Sequence, residues 1–182
     1  MSKTGIFMAN GCEEIEGLTV VDILRRAGLE IEMISINETT EVTGSHGISF
    51  SADTVFEQVN FDELDAVVLP GGMPGTLNLG EHAGVVSIIQ KFAGEGKLVA
   101  AICAAPSVLG AAGILKGKCA VCHPGFEEKL TGAVVSEDTA VTDGSIITSR
   151  GMGTAIDFAL AIVKYFKNEN AVADLKQKLV YR

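Results

Sequence analysis

The chain contains no tryptophan and only two tyrosines among its 182 residues. A face for stacking bases or sugar rings is hard to assemble from so few broad aromatic side chains. Basic residues are also scarce: 14 Lys and Arg stand against 23 Asp and Glu, a net charge of −9. Such a chain lacks the positive footprint that polyanions and anionic bilayers attract, so neither nucleic acid nor a membrane is expected as a partner. The opening stretch MSKTGIFMANGCEE has no long apolar segment followed by a cleavage signature, and the expected location is therefore cytoplasmic. In that reducing compartment Cys12, Cys103, Cys119 and Cys122 are expected as free thiols. The one membrane-like run, Leu98–Leu115, is broken by Pro106, Gly110 and Gly113 and reads as a strand followed by a buried helix. No linker, repeat or low-complexity segment divides residues 1–182. The length suits a single domain able to bury its own core.

What the sequence does hold is an alternation of short apolar runs with helical patterns. Gly5–Ala9, Ile31–Ile36, Ala66–Leu69 and Leu98–Ile102 read as strands buried on both faces. Glu14–Ala27 reads as a helix closed by Gly28 as its C′ residue. Ala83–Ala93 is a second helix, and Thr154–Lys167 a third with a threonine cap. Glu41–Ser51 and Ala140–Ser149 read as hairpins, the second turning through Asp143-Gly144. Strand–helix alternation predicts an α/β fold: a mostly parallel sheet with helices on both faces. Ligands of such sheets bind beyond the carboxyl ends of the strands, so the loops following strands are where chemistry is expected.

Three such loops stand out: Asn10–Glu16, Pro70-Gly71-Gly72 and Cys103–Pro106. The last has the pattern of a nucleophile elbow, a strand, a sharp turn and a helix, with the small residues Ala101 and Ala105 two positions either side of Cys103. A thiol at a helix N-terminus is expected to have a lowered pKa. The Ala104 amide and an amide of Gly71-Gly72 are placed to form an oxyanion hole. Of three histidines, only His123 follows a predicted strand end, and it is a candidate partner for Cys103. Glu13 and Glu14 read as ordinary first-turn acids. Glu16, one turn deeper, is expected to have a raised pKa and to sit protonated beside the thiol. The string Cys119-Ala120-Val121-Cys122-His123 matches a haem-attachment pattern. Residues three apart on a strand face opposite ways, however, and no further ligands are suitably spaced. Neither metal nor cofactor is expected.

The segments GCEEIEGLTVVDILRRAGLEI, DAVVLPGGMPG, AAICAAPSVL, His123-Pro124 and TSRGMGTAIDFALAIV together resemble the ThiJ/PfpI superfamily, in the branch of the Parkinsonism-associated protein deglycase and its bacterial relatives. The resemblance implies a flavodoxin-like three-layer sandwich that forms a homodimer. It places the reactive cysteine at Cys103, its hydrogen-bonded acid at Glu16, a nearby histidine at His123 and oxyanion-hole amides at Gly72 and Ala104. Arg26 and Arg150 fall on arginines near the dimer interface and site, and Gly71, Met73 and Met152 on the pocket wall. The implied chemistry is glyoxalase III or deglycase-like: methylglyoxal, free or as a thiol or amine adduct, becomes lactate without glutathione or metal. Two other readings stand beside it. One is a redox sensor or chaperone whose Cys103 is oxidised, the other a cysteine amidohydrolase. Ala104 stands where protease-like members carry a histidine, and Ser51 where some relatives carry a second cysteine.

Overall fold

The computed structural model describes residues 2–182. Its centre is a seven-stranded sheet whose spatial order is β10-β11-β7-β6-β1-β2-β5. These strands are β1 (Lys3–Met8), β2 (Glu30–Ser35), β5 (Thr54–Val55), β6 (Ala66–Leu69), β7 (Leu98–Ile102), β10 (Ala140–Asp143) and β11 (Ile146–Ser149). All neighbours run parallel except the β10–β11 hairpin. Strands β6 and β7 are buried along their whole length, which is why they appear in the sequence as uninterrupted apolar runs rather than alternating ones. A separate hairpin, β3 (Glu41–Thr43) with β4 (Ser49–Ser51), follows β2, and β8 (Cys119–Ala120) pairs with β9 (Val134–Val135).

Helices α1 (Glu14–Arg26), α5 (Ala155–Phe166) and α6 (Glu169–Leu179) cover one face of the sheet. Helices α2 (Gly75–Glu81), α3 (Ala83–Gly94) and α4 (Pro106–Ala111) cover the other. Two apolar layers result, one on each side, as the strand–helix alternation predicts. Gly28 ends α1 with φ +68°, the left-handed conformation expected of a C′ glycine. His82 caps α3 by accepting the Val85 N–H on Nδ1.

Some local expectations are corrected. Thr154 precedes α5 but does not cap it. Its Oγ1 bonds the carbonyl of Gly151 and the hydroxyl of Ser149 instead, which ties the loop after β11 into a tight turn. The Cys119–Cys122 segment keeps only Cys119 and Ala120 in a strand, because β9 offers just two residues to pair with it. All four cysteines are free. Two helices escaped the periodicity altogether. In α2, two glycines and an asparagine within seven residues weaken the intrinsic signal. In α6, only Val172 and Leu175 are buried, too few for an apolar stripe, although Asn168 caps it through the Ala171 N–H.

Strand β1 lies between β2 and β6, so the chain leaves it in one direction and returns on its other side. That reversal is the topological switch point, and it opens a crevice beyond the carboxyl ends of β1, β6 and β7. Each of the three loops singled out from the sequence begins there.

Candidate active site

Cys103 is the first residue beyond β7, and its backbone has φ +65°. A non-glycine residue in the left-handed region is strained and must be held there by its surroundings. The restraints are visible: the Cys103 N–H donates to the Ser149 carbonyl at 3.0 Å, and the Cys103 carbonyl accepts the His123 N–H at 2.8 Å. The elbow inferred from the small residues is therefore present, clamped from β11 on one side and from the His123 loop on the other.

Glu16 lies in the first turn of α1, not one turn deeper as expected, and is 1% exposed. Its Oε2 accepts the Gly71 N–H at 2.9 Å, and its carboxyl is hydrogen-bonded to the Cys103 thiol. Burial drives this carboxyl from an ordinary 4.5 up to about 7; the bonds from Cys103 and Gly71 pull it down, and the charge of Glu13 pushes it further up. Glu16 therefore changes protonation near neutrality rather than in acid.

The thiol behaves in the opposite sense to the sequence expectation. Burial pushes Cys103 up to about 12, and the ionised Glu16 beside it adds to the rise. The amides of Ala104 and Gly72 reach Sγ and pull the other way without prevailing. The helix that follows, α4, has only six residues, so its dipole is weak against a dry site that already contains a carboxylate. Around neutral pH the sulfur therefore keeps its proton while Glu16 passes between its neutral and ionised forms. When Glu16 takes it, the repulsion on the sulfur disappears and the two amides favour the thiolate.

Gly71 and Gly72 let the β6 loop pass close to this pair. A Cβ built on Gly71 would lie 2.6 Å from Cys103 Cβ and 2.7 Å from Glu16 Oε2. Gly72 has φ +90°, and a side chain there would collide with the backbone of Cys12 and Glu13. The structure also singles out Gly151, which drew no separate attention in the sequence. A Cβ there would lie 3.5 Å from His123 Cδ2, 3.9 Å from Glu16 Oε1 and 4.0 Å from Cys103 Sγ, in the space a small substrate would need. The only sequence signal for Gly151 is its place in the segment TSRGMG.

His123 faces the same space but is not bonded to the thiol; its Nδ1 meets the Pro124 carbonyl at 2.9 Å. Arg150 donates to the Glu137 carbonyl and, with His123, Thr139, Gly151 and Met152, lines a cavity of about 440 Å³ on the loop after β11. Met73 lines a different cavity, of about 480 Å³, with Thr76, Leu77, Ser107 and Phe126. The two methionines therefore flank separate openings. Arg26 is not brought to the site. It lies ten residues along α1 from Glu16, about 15 Å of helix rise, and pairs with Asp22 on the surface.

A strained cysteine at a strand end, a buried acid on it and two amides aimed at the sulfur define a nucleophile-elbow α/β protein, and the chain belongs to the DJ-1/PfpI family, whose model matches residues 2–165. Among curated relatives, Protein dj-1beta of Drosophila melanogaster is 37% identical, over 99% of this chain and 98% of its own. Deglycase PH1704 of Pyrococcus horikoshii is 39% identical over 81% of this chain and 89% of its own. Among solved structures, oxidized Toxoplasma gondii DJ-1 superposes with a TM-score of 0.95 at 33% identity, covering 100% of this chain and 99% of that one.

Proposed function

We propose that the protein is a glutathione-independent glyoxalase or deglycase acting on methylglyoxal or on its thiol and amine adducts. The observation that carries this reading is the buried Glu16 carboxyl, raised to about 7 and bonded to the Cys103 thiol. Relatives named as deglycases, at 36–39% identity, support the same class of reaction. In the proposed sequence the Cys103 thiol adds across the aldehyde C=O, its proton passing through Glu16, to give a hemithioacetal. The Ala104 and Gly72 amides stabilise the negative charge that develops during addition. Glu16 next removes the proton from the carbon bearing sulfur and returns one to the neighbouring carbonyl carbon. The aldehyde carbon is thereby oxidised and the ketone carbon reduced within one molecule, leaving a lactoyl thioester. Water cleaves the thioester to lactate and restores the thiol, so the balance needs no external oxidant, metal or cofactor.

Arg150 and His123 border the space where the adduct's carrier group would lie. The amidohydrolase reading needs an imidazole on the sulfur, and the Nδ1 contact to Pro124 disfavours it. The free state of all four thiols suits a reducing, cytoplasmic setting. Ile15, Leu18, Ile48, Ile156 and Leu179 line one apolar groove on α1, α5, α6 and the β3–β4 hairpin. Ile15 and Ile48 are more than half exposed there, which suits a homodimer contact. The deciding experiment measures D- and L-lactate formed from methylglyoxal by wild type, Cys103→Ser and Glu16→Gln. Loss of turnover in both variants supports the reading, and undiminished turnover in either refutes it.

A further inference from the structure

The cavity beside Met73, of about 480 Å³, is not lined by Cys103 or Glu16 and has no part in the chemistry assigned to them. Its volume falls within the range of small-molecule sites. Three segments enclose it. Helix α2 and the residue Met73 before it form one wall, α4 supplies Ser107 and Val108, and the chain from Phe126 to Thr131 closes the third side. That third wall is fixed against α4, because a Cβ built on Gly110 would collide with the Lys129 carbonyl. The cavity is thus a formed feature of the fold, bounded by packed elements.

One of its lining residues carries an unsatisfied polar group. Thr76 is 2% exposed, and among the described residues its hydroxyl has no hydrogen-bond partner. A buried hydroxyl left unpaired is destabilising, and such groups are rare in folded proteins. Ser107, on the same cavity, differs in that its hydroxyl already donates to the Ala104 carbonyl at 2.6 Å. Beside Thr76 the wall is apolar yet uncovered: Met73 is 42% exposed and Leu77 52%. A ligand seated here would cover the apolar side chains and give the hydroxyl its partner. Charge narrows the choice of ligand. The lining includes Glu81, Glu128 and Lys129, all exposed, two carboxylates against one ammonium in a chain already at −9. The Lys129 ammonium lies 4.7 Å over the Phe126 ring. Anions are therefore disfavoured, while a cation gains little from carboxylates that water screens.

We propose that this cavity binds an uncharged, largely apolar small molecule bearing one hydroxyl or carbonyl group, which hydrogen-bonds to the Thr76 hydroxyl. A threonine hydroxyl both donates and accepts, so either group satisfies it. The apolar body of the ligand lies against Met73, Leu77, Val108 and Phe126. The proposal is independent of the reaction assigned to Cys103, since it concerns binding at residues that reaction does not use.

The test titrates the full chain with 2-naphthol at neutral pH, where the probe is uncharged, and follows the methyl NMR signals of Met73, Leu77 and Val108. Those signals should shift to saturation. The same ring carrying a carboxylate, 2-naphthoate, should bind at least about tenfold more weakly. Thr76→Val keeps the shape and removes the hydroxyl, so it should weaken 2-naphthol about fivefold. The same substitution should raise the Tm of the free protein, because the unpaired group is gone. Leu77→Asp, at an exposed position and with folding confirmed by circular dichroism, should weaken 2-naphthol by about tenfold or more. Four results each overturn the proposal: no saturable shift at these methyls, binding confined to the groove of Ile15 and Ile48, equal affinity for 2-naphthoate, or undiminished affinity in Thr76→Val.

Discussion

Replacing Glu16 by glutamine should make the protein more stable than wild type at alkaline pH and change it little in acid. In the unfolded chain this carboxyl ionises above an ordinary 4.5, whereas in the folded protein burial delays ionisation to about 7. Between those values the folded state keeps a proton that the unfolded state has released. Wild-type stability therefore falls as pH rises through that window and levels off above it. A difference of roughly 2.5 in pKa, at 1.36 kcal/mol for each, amounts to about 3 kcal/mol in full. About 2.5 kcal/mol of this falls between pH 5 and pH 8, by the same linkage. Glutamine has the same shape, can still accept the Gly71 N–H, and pays no ionisation cost. Urea and thermal unfolding of both proteins at pH 5 and pH 8 measure the effect. Relative to wild type, the variant should gain roughly 5–10 °C in Tm over that interval for a chain of this size. If the gap between the two proteins stays constant or shrinks from pH 5 to pH 8, the carboxyl does not titrate near neutrality and the argument for Glu16 fails.

For methylglyoxal, kcat/KM should climb with pH to a plateau above about 7, because Glu16 must be ionised to accept the thiol proton. The rising limb should vanish in Glu16→Gln together with most of the activity, and a profile flat from pH 5 to 9 in wild type would contradict the assigned role. Gly71→Ala should fold yet lose at least about a hundredfold in turnover, since the new methyl falls within 2.7 Å of both the acid and the cysteine Cβ. Near-normal turnover with an unchanged crystal structure would disprove that reasoning. Ile15→Asp with Ile48→Asp should leave a folded monomer by sedimentation if the groove joins two copies, whereas a dimer that persists rules that face out.

The cysteine was legible because everything an elbow requires is local: a strand, small residues two positions either side, and a proline early in the following helix. The partnership of Glu16 was only half legible. Its burial was expected from a place one turn deeper than Glu13 and Glu14, whereas it lies in the first turn of α1, and its distance to Cys103 depends on β1 and β7 being brought to the same crevice. The direction of the Cys103 pKa could not be read locally, because it is decided by desolvation and by that same carboxylate. Arg26 illustrates the converse. A match to a family position carries no distance, and ten residues of helix remove it from the pocket. The same holds at Glu13, Glu14 and His46, where two residues read as routine first-turn acids and the third as a hairpin histidine. Only the folded hairpin sets them side by side.

The clamp on Cys103 has a consequence for the nascent chain. The nucleophile is held in its strained conformation by the carbonyl of Ser149 and the amide of His123, both of which follow it in sequence. During synthesis the thiol therefore emerges well before the residues that restrain it, at a stage when neither the oxyanion amides nor the buried acid are organised around it. The strained geometry of Cys103 is a property of the completed sheet, acquired only once β11 docks beside β7. A chain that stalls before that point carries an ordinary cysteine.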